Sequence, residues 1–307
     1  MIRRKVLASA LGILCSFFSC QETVINCDPK VALDTSRGPC TVTLSQTPTY
    51  NENTNAVTRT ISTNSIPNHM VGLFGGGQGS LNPNAIQPQN LQFGVTMNPT
   101  VANNMTQLLS NNGPAYAFGV LLNGIQVDPI AAEPWPHTNM MDPNLNWTWN
   151  LEASNVRIGL DCNNGHVQPQ GKYHYHGIPE LYLPVLNPST TAMTLIGWAA
   201  DGFPIYYKYG HSDASNSSST VVEMSSSYRL KTGDRPGDGV SAPCGTYNGI
   251  YSNDYEYISG LGTLDECNGR TGVTPEFPNG TYYYVLTETF PHIPRCFKGT
   301  PSTDFRI

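Results

Sequence analysis

The feature that most constrains the fold of this chain is an internal repeat. Three motifs occur twice, in the same order, and the two copies of each motif keep their glycines in register. The matched stretches are 119–127 with 197–205, 160–166 with 264–270, and 169–176 with 278–285. Chance explains one such match more easily than an ordered series. The repeat therefore predicts two related halves within one domain.

Both copies of the first motif have the signature of a tight β-hairpin. Asn123-Gly124 and Asp201-Gly202 each stand between apolar residues, and such dipeptides are a strong hairpin signal. The chain also contains 16 Tyr, 29 Gly and 24 Pro, which favour short strands and turns over long helices. We therefore expect an all-β or β-rich fold. In it, two pseudo-duplicated β halves pack their apolar faces together as a sandwich or barrel in a single domain.

The N-terminus carries a secretory signal. Basic residues at positions 3–5 precede an apolar run over residues 6–18, which is too short for a membrane span. Ser19 and Cys20 follow, and a small residue before a cysteine at this place is typical of bacterial lipoproteins. We predict a signal peptide of the lipoprotein type over residues 1–19 and lipidation of Cys20.

This signal predicts where the protein works and what it meets there. The lipid would attach the mature chain to the cell envelope, at the outer membrane or the cell surface. Simple secretion after cleavage nearby is the alternative. A nucleic-acid partner is not expected, because the net charge is −6 and no run of Lys or Arg follows the extreme N-terminus.

The composition changes along the mature chain. Residues 20–60 are rich in Thr, Asn and Ser with little apolar periodicity, which is typical of a polar tether or a loosely attached β arm. Apolar content rises from residue 61, so we place the β domain over residues 61–307. Within it, residues 208–242 form a second polar stretch, which we interpret as an insertion or mobile surface loop.

The cysteine pattern fits an exported chain. Apart from Cys15 in the signal and Cys20, the disulfide candidates are Cys27, Cys40, Cys162, Cys244, Cys267 and Cys296. An even number of cysteines in an exported chain indicates disulfide bonds. Their connectivity stays open, with Cys27–Cys40 as the simplest local pairing. None of the six belongs to a Cys-x-x-Cys pair, which disfavours a redox or zinc-ribbon site.

The candidate functional site is a cluster of histidines. Tyr173-His174-Tyr175-His176 is a strand by composition, and because side chains alternate along a strand, His174 and His176 point to one face. The two tyrosines point to the other face, toward the core. His166 precedes this strand across a glycine-containing turn and can supply a third ligand. Three imidazoles with one open position suit Zn²⁺ or Cu²⁺, with water as the remaining ligand.

The second half of the repeat lacks these imidazoles. It carries Arg270, Tyr283 and Val285 at the matching positions. This asymmetry predicts a metal site in the first half and a structural counterpart in the second half. The alternative is that the histidines are half-buried and hydrogen-bonded to the neighbouring polar loops.

Further polar residues are weaker candidates. His69 and His137 are possible additional ligands or hydrogen-bond partners from other loops, although a structural role is favoured for each. Asp201 lies in a predicted hairpin turn and is kept only as a distant candidate for an acid or base. Asp161 and Asp265 recur in both halves, which indicates turn capping rather than catalysis.

These motifs resemble the YHYH-domain family of exported proteins, which is named after the sequence at residues 173–176. The likeness extends over roughly residues 60 to 301, through the stretches 67–69, 123–124, 161–166, 201–206, 267–270 and 296–300. Members of the family are secreted or lipid-anchored, so the resemblance implies the same for this chain. It names a domain and no reaction. The domain predicted over residues 61–307 is therefore a YHYH-like β domain.

Two functions from different classes fit these patterns. The first is an extracytoplasmic metal-binding protein, active in metal handling or in metal-dependent hydrolysis, where a metal-bound water attacks an ester or phosphoester. No His-Glu-x-x-His, Gly-x-Ser-x-Gly or phosphate-loop motif is present, so enzymatic activity stays open. The second is a non-catalytic surface module that binds glycans or proteins. It would use aromatic residues such as Trp135, Trp147 and Trp149, unless these fill the core.

Overall fold

The computed structural model describes Cys27, residues 31–138 and residues 141–307. The predicted signal peptide at residues 1–19 and the predicted lipidation site Cys20 lie outside the described residues. The described part of the chain is β-rich, as the sequence predicts, and it has one short α-helix. No helix within these ranges is long and apolar enough to cross a membrane.

The strands are short and are numbered in chain order. The first eight are β1 Cys40–Val42, β2 Tyr50–Thr54, β3 Thr58–Thr63, β4 Val71–Gly72, β5 Leu91–Thr96, β6 Thr106–Gln107, β7 Leu109–Ser110 and β8 Gly113–Pro114. The next eight are β9 Gly119–Leu121, β10 Gln126–Val127, β11 Ile130–Trp135, β12 Asn146–Glu152, β13 Gly165–Val167, β14 Tyr173–Tyr175, β15 Leu195–Ala199 and β16 Pro204–Tyr207. The last seven are β17 Tyr209–His211, β18 Val221–Glu223, β19 Tyr228–Leu230, β20 Tyr255–Tyr257, β21 Gly269–Gly272, β22 Thr281–Leu286 and β23 Cys296–Phe297. The helix α1 is Leu183–Leu186, and 3-10 turns are formed by Ala153–Asn155, Ser252–Asp254 and Thr303–Phe305.

Eight strands form the central sheet, in the order β13-β14-β10-β9-β15-β16-β22-β21. Each half of the repeat contributes one early hairpin, β9–β10 or β15–β16, and one later hairpin, β13–β14 or β21–β22. In each half the second strands of the two hairpins pair in parallel. The halves are joined by antiparallel pairing of β9 with β15, which places Val120 opposite Trp198. The duplication is therefore visible in the order of the strands.

The two halves meet edge to edge, whereas the sequence predicts that they pack face to face. Over the described residues the sheet does not close into a barrel. Two glycines of the repeat permit this contact. A Cβ atom at Gly119 would lie 2.4 Å from the carbonyl oxygen of Trp198, and one at Gly197 would lie 2.5 Å from that of Val120. Because the backbones approach so closely here, the halves continue one sheet.

The main hydrophobic core lies between the central sheet and a three-stranded sheet of β2, β3 and β5. Ile61 of β3 and Phe93 of β5 belong to the same buried cluster as Val120 of β9 and Tyr175 of β14. The two sheets thus share one core in two layers, which fits a sandwich. A smaller buried cluster surrounds β11 and β12.

Both polar stretches contain strands. Residues 20–60 include β1, β2 and the start of β3, and β1 pairs with β4. Residues 208–242 include β17, β18 and β19. Met224 from this stretch is buried in one cluster with Tyr283 and Val285 of β22. The stretch therefore helps to cover one face of the second half.

The six candidate cysteines all form disulfide bonds, which are Cys27–Cys244, Cys40–Cys162 and Cys267–Cys296. The simplest local pairing, Cys27–Cys40, is therefore wrong. Gly38 forms a β-bridge with Asp161, and this bridge brings Cys40 next to Cys162. The pairing thus follows a contact between segments that are distant in the sequence.

Equivalent aspartates cap equivalent turns in the two halves. Asp161 accepts hydrogen bonds from the backbone N–H groups two and four residues later and from the hydroxyl of Tyr173. Asp265 accepts the same backbone bonds and one from the hydroxyl of Tyr282. The predicted role of both aspartates in turn capping is confirmed.

Candidate metal centre

The hairpin of β13 and β14 carries the three candidate ligands. His166 lies directly opposite His174, and His176 follows β14 by one residue. Directly opposed residues project to the same side of a sheet, and so do residues two apart along a strand, so all three side chains lie on one face. Tyr173 and Tyr175 lie on the other face and are completely buried.

The three imidazoles converge. One ligand nitrogen from each ring lies within 4.8 Å of the ligand nitrogens of the other two. The Nε2 atoms of His174 and His176 are 2.9 Å apart. In a tetrahedral zinc site, with Zn–N distances of about 2.0–2.1 Å, neighbouring ligand nitrogens are about 3.4 Å apart. Small side-chain movements would therefore place the three nitrogens around one ion.

Burial keeps the three rings neutral. It lowers the pKa of His166, lowers the pKa of His174 to about 3, and lowers the pKa of His176 well below its usual value. Loss of hydration is the main cause, because it disfavours the charged imidazolium, and the neighbouring imidazoles add to the shifts of His174 and His176. Neutral imidazole is the form that binds a metal ion.

Hydrogen bonds satisfy this cluster only in part. The side-chain nitrogen of Asn82 lies 3.1 Å from Nε2 of His166 and donates to the carbonyl oxygen of Val167 at 2.8 Å, which holds the ring in place. The Nδ1 atoms of His174 and His176 are buried and have no hydrogen-bond partner among the described residues. The backbone groups of Lys172 and Pro129 interact with the rings of His174 and His176 and raise their pKa values, against the larger effect of burial.

A cavity of about 450 Å³ opens beside the histidines, and two acidic residues that are not among the sequence-based candidates line it. Asp128 follows β10 and is 5% exposed, and burial raises its pKa to about 7. Burial also raises the pKa of Glu133 in β11. One carboxyl oxygen of each residue is buried without a hydrogen-bond partner in the described part of the chain. A signal for Asp128 exists in the sequence, since this acid interrupts a mostly apolar run over residues 125–132.

The second half presents the same face with different residues. Arg270 lies opposite Tyr283 and donates a hydrogen bond from Nε to its hydroxyl at 2.6 Å. Tyr206 packs edge-on against Tyr283. Val285 is buried in one cluster with Tyr206, Tyr283 and Met224. The strands of this half are therefore formed without the imidazoles, and its face is filled by packed side chains.

His69 and His137 lie away from the three-His group. His69 places Nε2 at 2.6 Å from the hydroxyl of Tyr175 and stacks on that ring. Because Tyr175 points to the opposite face of β14, His69 lies behind the cluster. His137 stacks on Tyr251, with Nε2 at 3.2 Å from its hydroxyl. Neither histidine belongs to the group of converging ligands found among the described residues.

Asp201 supports a hairpin in the second half. Its carboxylate accepts hydrogen bonds from the hydroxyl of Tyr284 at 2.5 Å and from the backbone of Gly299 at 2.9 Å. Burial raises its pKa to about 6, against the opposing effect of these bonds. In the first half, Asn123 donates to the hydroxyl of Tyr175 at 2.9 Å. The same hairpin-to-tyrosine contact thus occurs in both halves, and it places Asp201 far from the histidines in the sheet order.

The three tryptophans that were candidates for a binding surface are buried. Trp135, Trp147 and Trp149 are 3%, 8% and 6% exposed. Trp135 and Trp149 belong to the smaller core around β11 and β12. Trp135 and Trp149 therefore fill the interior, whereas Trp147 lines a cavity of about 730 Å³.

Comparison with known proteins identifies a family. The sequence model of the family described as YHYH protein matches residues 92–299, a range that contains the three-His hairpin and its counterpart in the second half. No curated protein and no solved structure matches the chain. Since the match covers most of the chain and includes the motif at residues 173–176, the chain belongs to the YHYH family.

Proposed function

We propose that this protein binds a zinc or copper ion through His166, His174 and His176. The observation that carries the proposal is the convergence of three neutral imidazoles on one buried face, with ligand nitrogens within 4.8 Å of one another. Three histidines leave an open coordination position for water or a substrate, which is the arrangement of catalytic zinc sites.

The surroundings of the other ring nitrogens are compatible with a ligand role for His174 and His176. In metal sites, the ring nitrogen that does not bind the ion usually faces a carbonyl or carboxylate group. The backbone groups of Lys172 and Pro129 interact with the rings of His174 and His176, respectively.

The cavity favours metal-dependent hydrolysis over metal handling. It gives space beside the ligand nitrogens for a substrate, and it is lined by the carboxyl groups of Asp128 and Glu133. When bound, the ion would supply a water of lowered pKa as the nucleophile. The acidic lining of the cavity favours an uncharged ester over a phosphoester as the substrate. A dication near Asp128 would also favour the ionised form of this carboxyl group.

The disulfide bonds indicate an oxidising, extracytoplasmic location. We propose further that the chain is exported and anchored by a lipid on Cys20, with simple secretion as the alternative. A Cys20→Ser variant should then move from the membrane fraction to the soluble fraction. Equal membrane association of the variant and the wild type would contradict lipidation at this residue.

Elemental analysis of the oxidised protein tests the metal site. We expect about one zinc or copper ion per chain, and we expect it to be lost from the double variant His174→Ala/His176→Ala. The control is His211→Ala, since His211 is buried in the second half and bonds to the carbonyl of Ser219. A folded wild-type protein that takes up no metal, or a double variant that keeps it, would refute the proposal.

A further inference from the structure

We infer that Asp128 selects the non-protein ligand of the three-His site. Its carboxylate accepts a hydrogen bond from the group in the open metal position. The site therefore favours hydrogen-bond donors such as water or a neutral hydroxyl or amine over anions without a donor. This inference rests on the proposed metal site and adds the chemical class of its ligand.

The pairing of two strands places Asp128 beside the histidines. In the parallel pair of β10 and β14, Gln126 is opposite His174. The backbone N–H of Asp128 donates to the carbonyl of Tyr175 at 2.8 Å, so the pairing continues one residue beyond β10. Because side chains alternate, Asp128 projects to the face that carries His174 and His176.

The environment of Asp128 points to a ligand. The residue is 5% exposed, it lines the cavity, and its Oδ1 atom has no hydrogen-bond partner among the described residues. A buried carboxylate oxygen without a donor is strongly unfavourable unless something in the cavity donates to it. Gln126, on the same face, also has a buried side-chain oxygen without a partner in the described chain.

The position of Asp128 relative to the ligands fits a contact with the bound group. Asp128 is not in the set of residues whose ligand atoms all lie within 4.8 Å of one another. It therefore stands beside the three imidazoles and outside their ligand set. A carboxylate in this position can accept a hydrogen bond from the non-protein ligand of the metal, and it repels an anionic ligand.

The charge of the cavity supports the same preference. Glu133 adds a second acidic side chain to its wall. Lys172 and Arg295 act electrostatically on Asp128, yet no ion pair within 4.0 Å joins either of them to Asp128 in the described structure. An incoming anion would meet these carboxyl groups without a paired cation at Asp128.

Azide binding to the cobalt(II)-loaded protein tests the inference, because cobalt(II) reports changes in its ligands through its visible spectrum. We expect Asp128→Asn to keep one cobalt per chain and to bind azide about tenfold more tightly or better, since a repelling charge is replaced by an amide that donates a hydrogen bond. Glu223→Gln, which removes one charge from an exposed side chain outside the cavity, should bind azide as the wild type does.

The possible results separate this inference from the metal proposal. Equal azide affinity in Asp128→Asn, Glu223→Gln and the wild type overturns the inference and leaves the metal site intact. Absence of cobalt uptake by the folded wild type overturns both. If Asp128→Asn does not fold, Asp128→Ser is measured instead, with the same expected gain in azide affinity and the same contrary result.

Discussion

The two halves of this molecule share their strands and differ on one face. Both have an early hairpin, a later hairpin, an aspartate that caps a turn and a tyrosine that bonds to it. On one face of the later hairpin, the first half has three histidines beside a cavity. The second half has Arg270, Tyr283 and Val285, packed under neighbouring side chains. The shared hairpins and turns form the sheet, and the proposed function depends on the face in which the two halves differ.

The largest expected effect comes from exchanging the two faces. His174→Tyr/His176→Val gives the first half two residues of its counterpart. Because the same strand accepts these residues in the second half, we expect a folded protein whose zinc or copper affinity falls more than about a thousandfold. Isothermal titration measures this change, and Tyr283→Phe in the second half serves as the control with unchanged affinity. If the exchanged variant kept its metal affinity, the metal could not depend on the histidines in which the two halves differ.

The disulfides of the two halves should differ in how much they stabilise the folded protein. Cys40–Cys162 spans 122 residues and Cys267–Cys296 spans 29. If disulfides act by restricting the unfolded chain, removing Cys40–Cys162 lowers the free energy of unfolding by about 5 kcal/mol. Removing Cys267–Cys296 lowers it by about 3.5 kcal/mol. Urea unfolding of the two paired Cys→Ala variants gives both values. A larger loss for the shorter link would show that native contacts, rather than chain entropy, decide the difference.

The tyrosines that bond to the capping aspartates give a smaller contrast. Tyr173 donates to Asp161 at 2.8 Å, and both residues are completely buried. Asp265, the partner of Tyr282, has a side chain that is 26% exposed. Tyr173→Phe should lower the free energy of unfolding by about 2 kcal/mol and Tyr282→Phe by about 1 kcal/mol, because water can replace only the second bond. Thermal unfolding compares them, and the reverse order would argue against burial as the cause.

The smallest expected effect is the response of metal binding to pH. A proton competes with a metal only at or below the pKa of the free ligand, and burial lowers the pKa of His174 to about 3. Asp128, whose pKa burial raises to about 7, also titrates in this range, so the measurement uses the Asp128→Asn variant. We expect the metal affinity of this folded variant to change less than about threefold between pH 7.5 and pH 6. A peptide of residues 165–177, with ordinary histidines, should lose more than about tenfold over the same interval. Parallel losses in both would mean that the fold does not shield the rings.

The local parts of this comparison can be read from the sequence. The repeat predicts the hairpins and the related halves, and alternation along one strand predicts that His174 and His176 share a face. His166 joins them because it lies across a short hairpin. These features depend on residues that are close in the sequence, so periodicity and turn chemistry are sufficient to find them.

The remaining features depend on distant contacts. The edge-to-edge joining of the halves follows from the close approach at Gly119 and Gly197, which no local pattern reveals. Cys40 meets Cys162 through a bridge between remote segments. Asp128 reaches the histidines through a parallel pair, and parallel pairing requires a long connection, so its neighbour across the sheet is not visible in the sequence.

The junction of β9 with β15 has a consequence for how such a protein assembles. Val120 and Trp198 occupy equivalent positions and face each other, so the contact has the self-complementary form of an interface in a symmetric homodimer. In a polypeptide limited to the first half, β9 would be an unpaired edge strand of the sheet. Two copies of it would rebuild the eight-stranded sheet with a histidine cluster at each end.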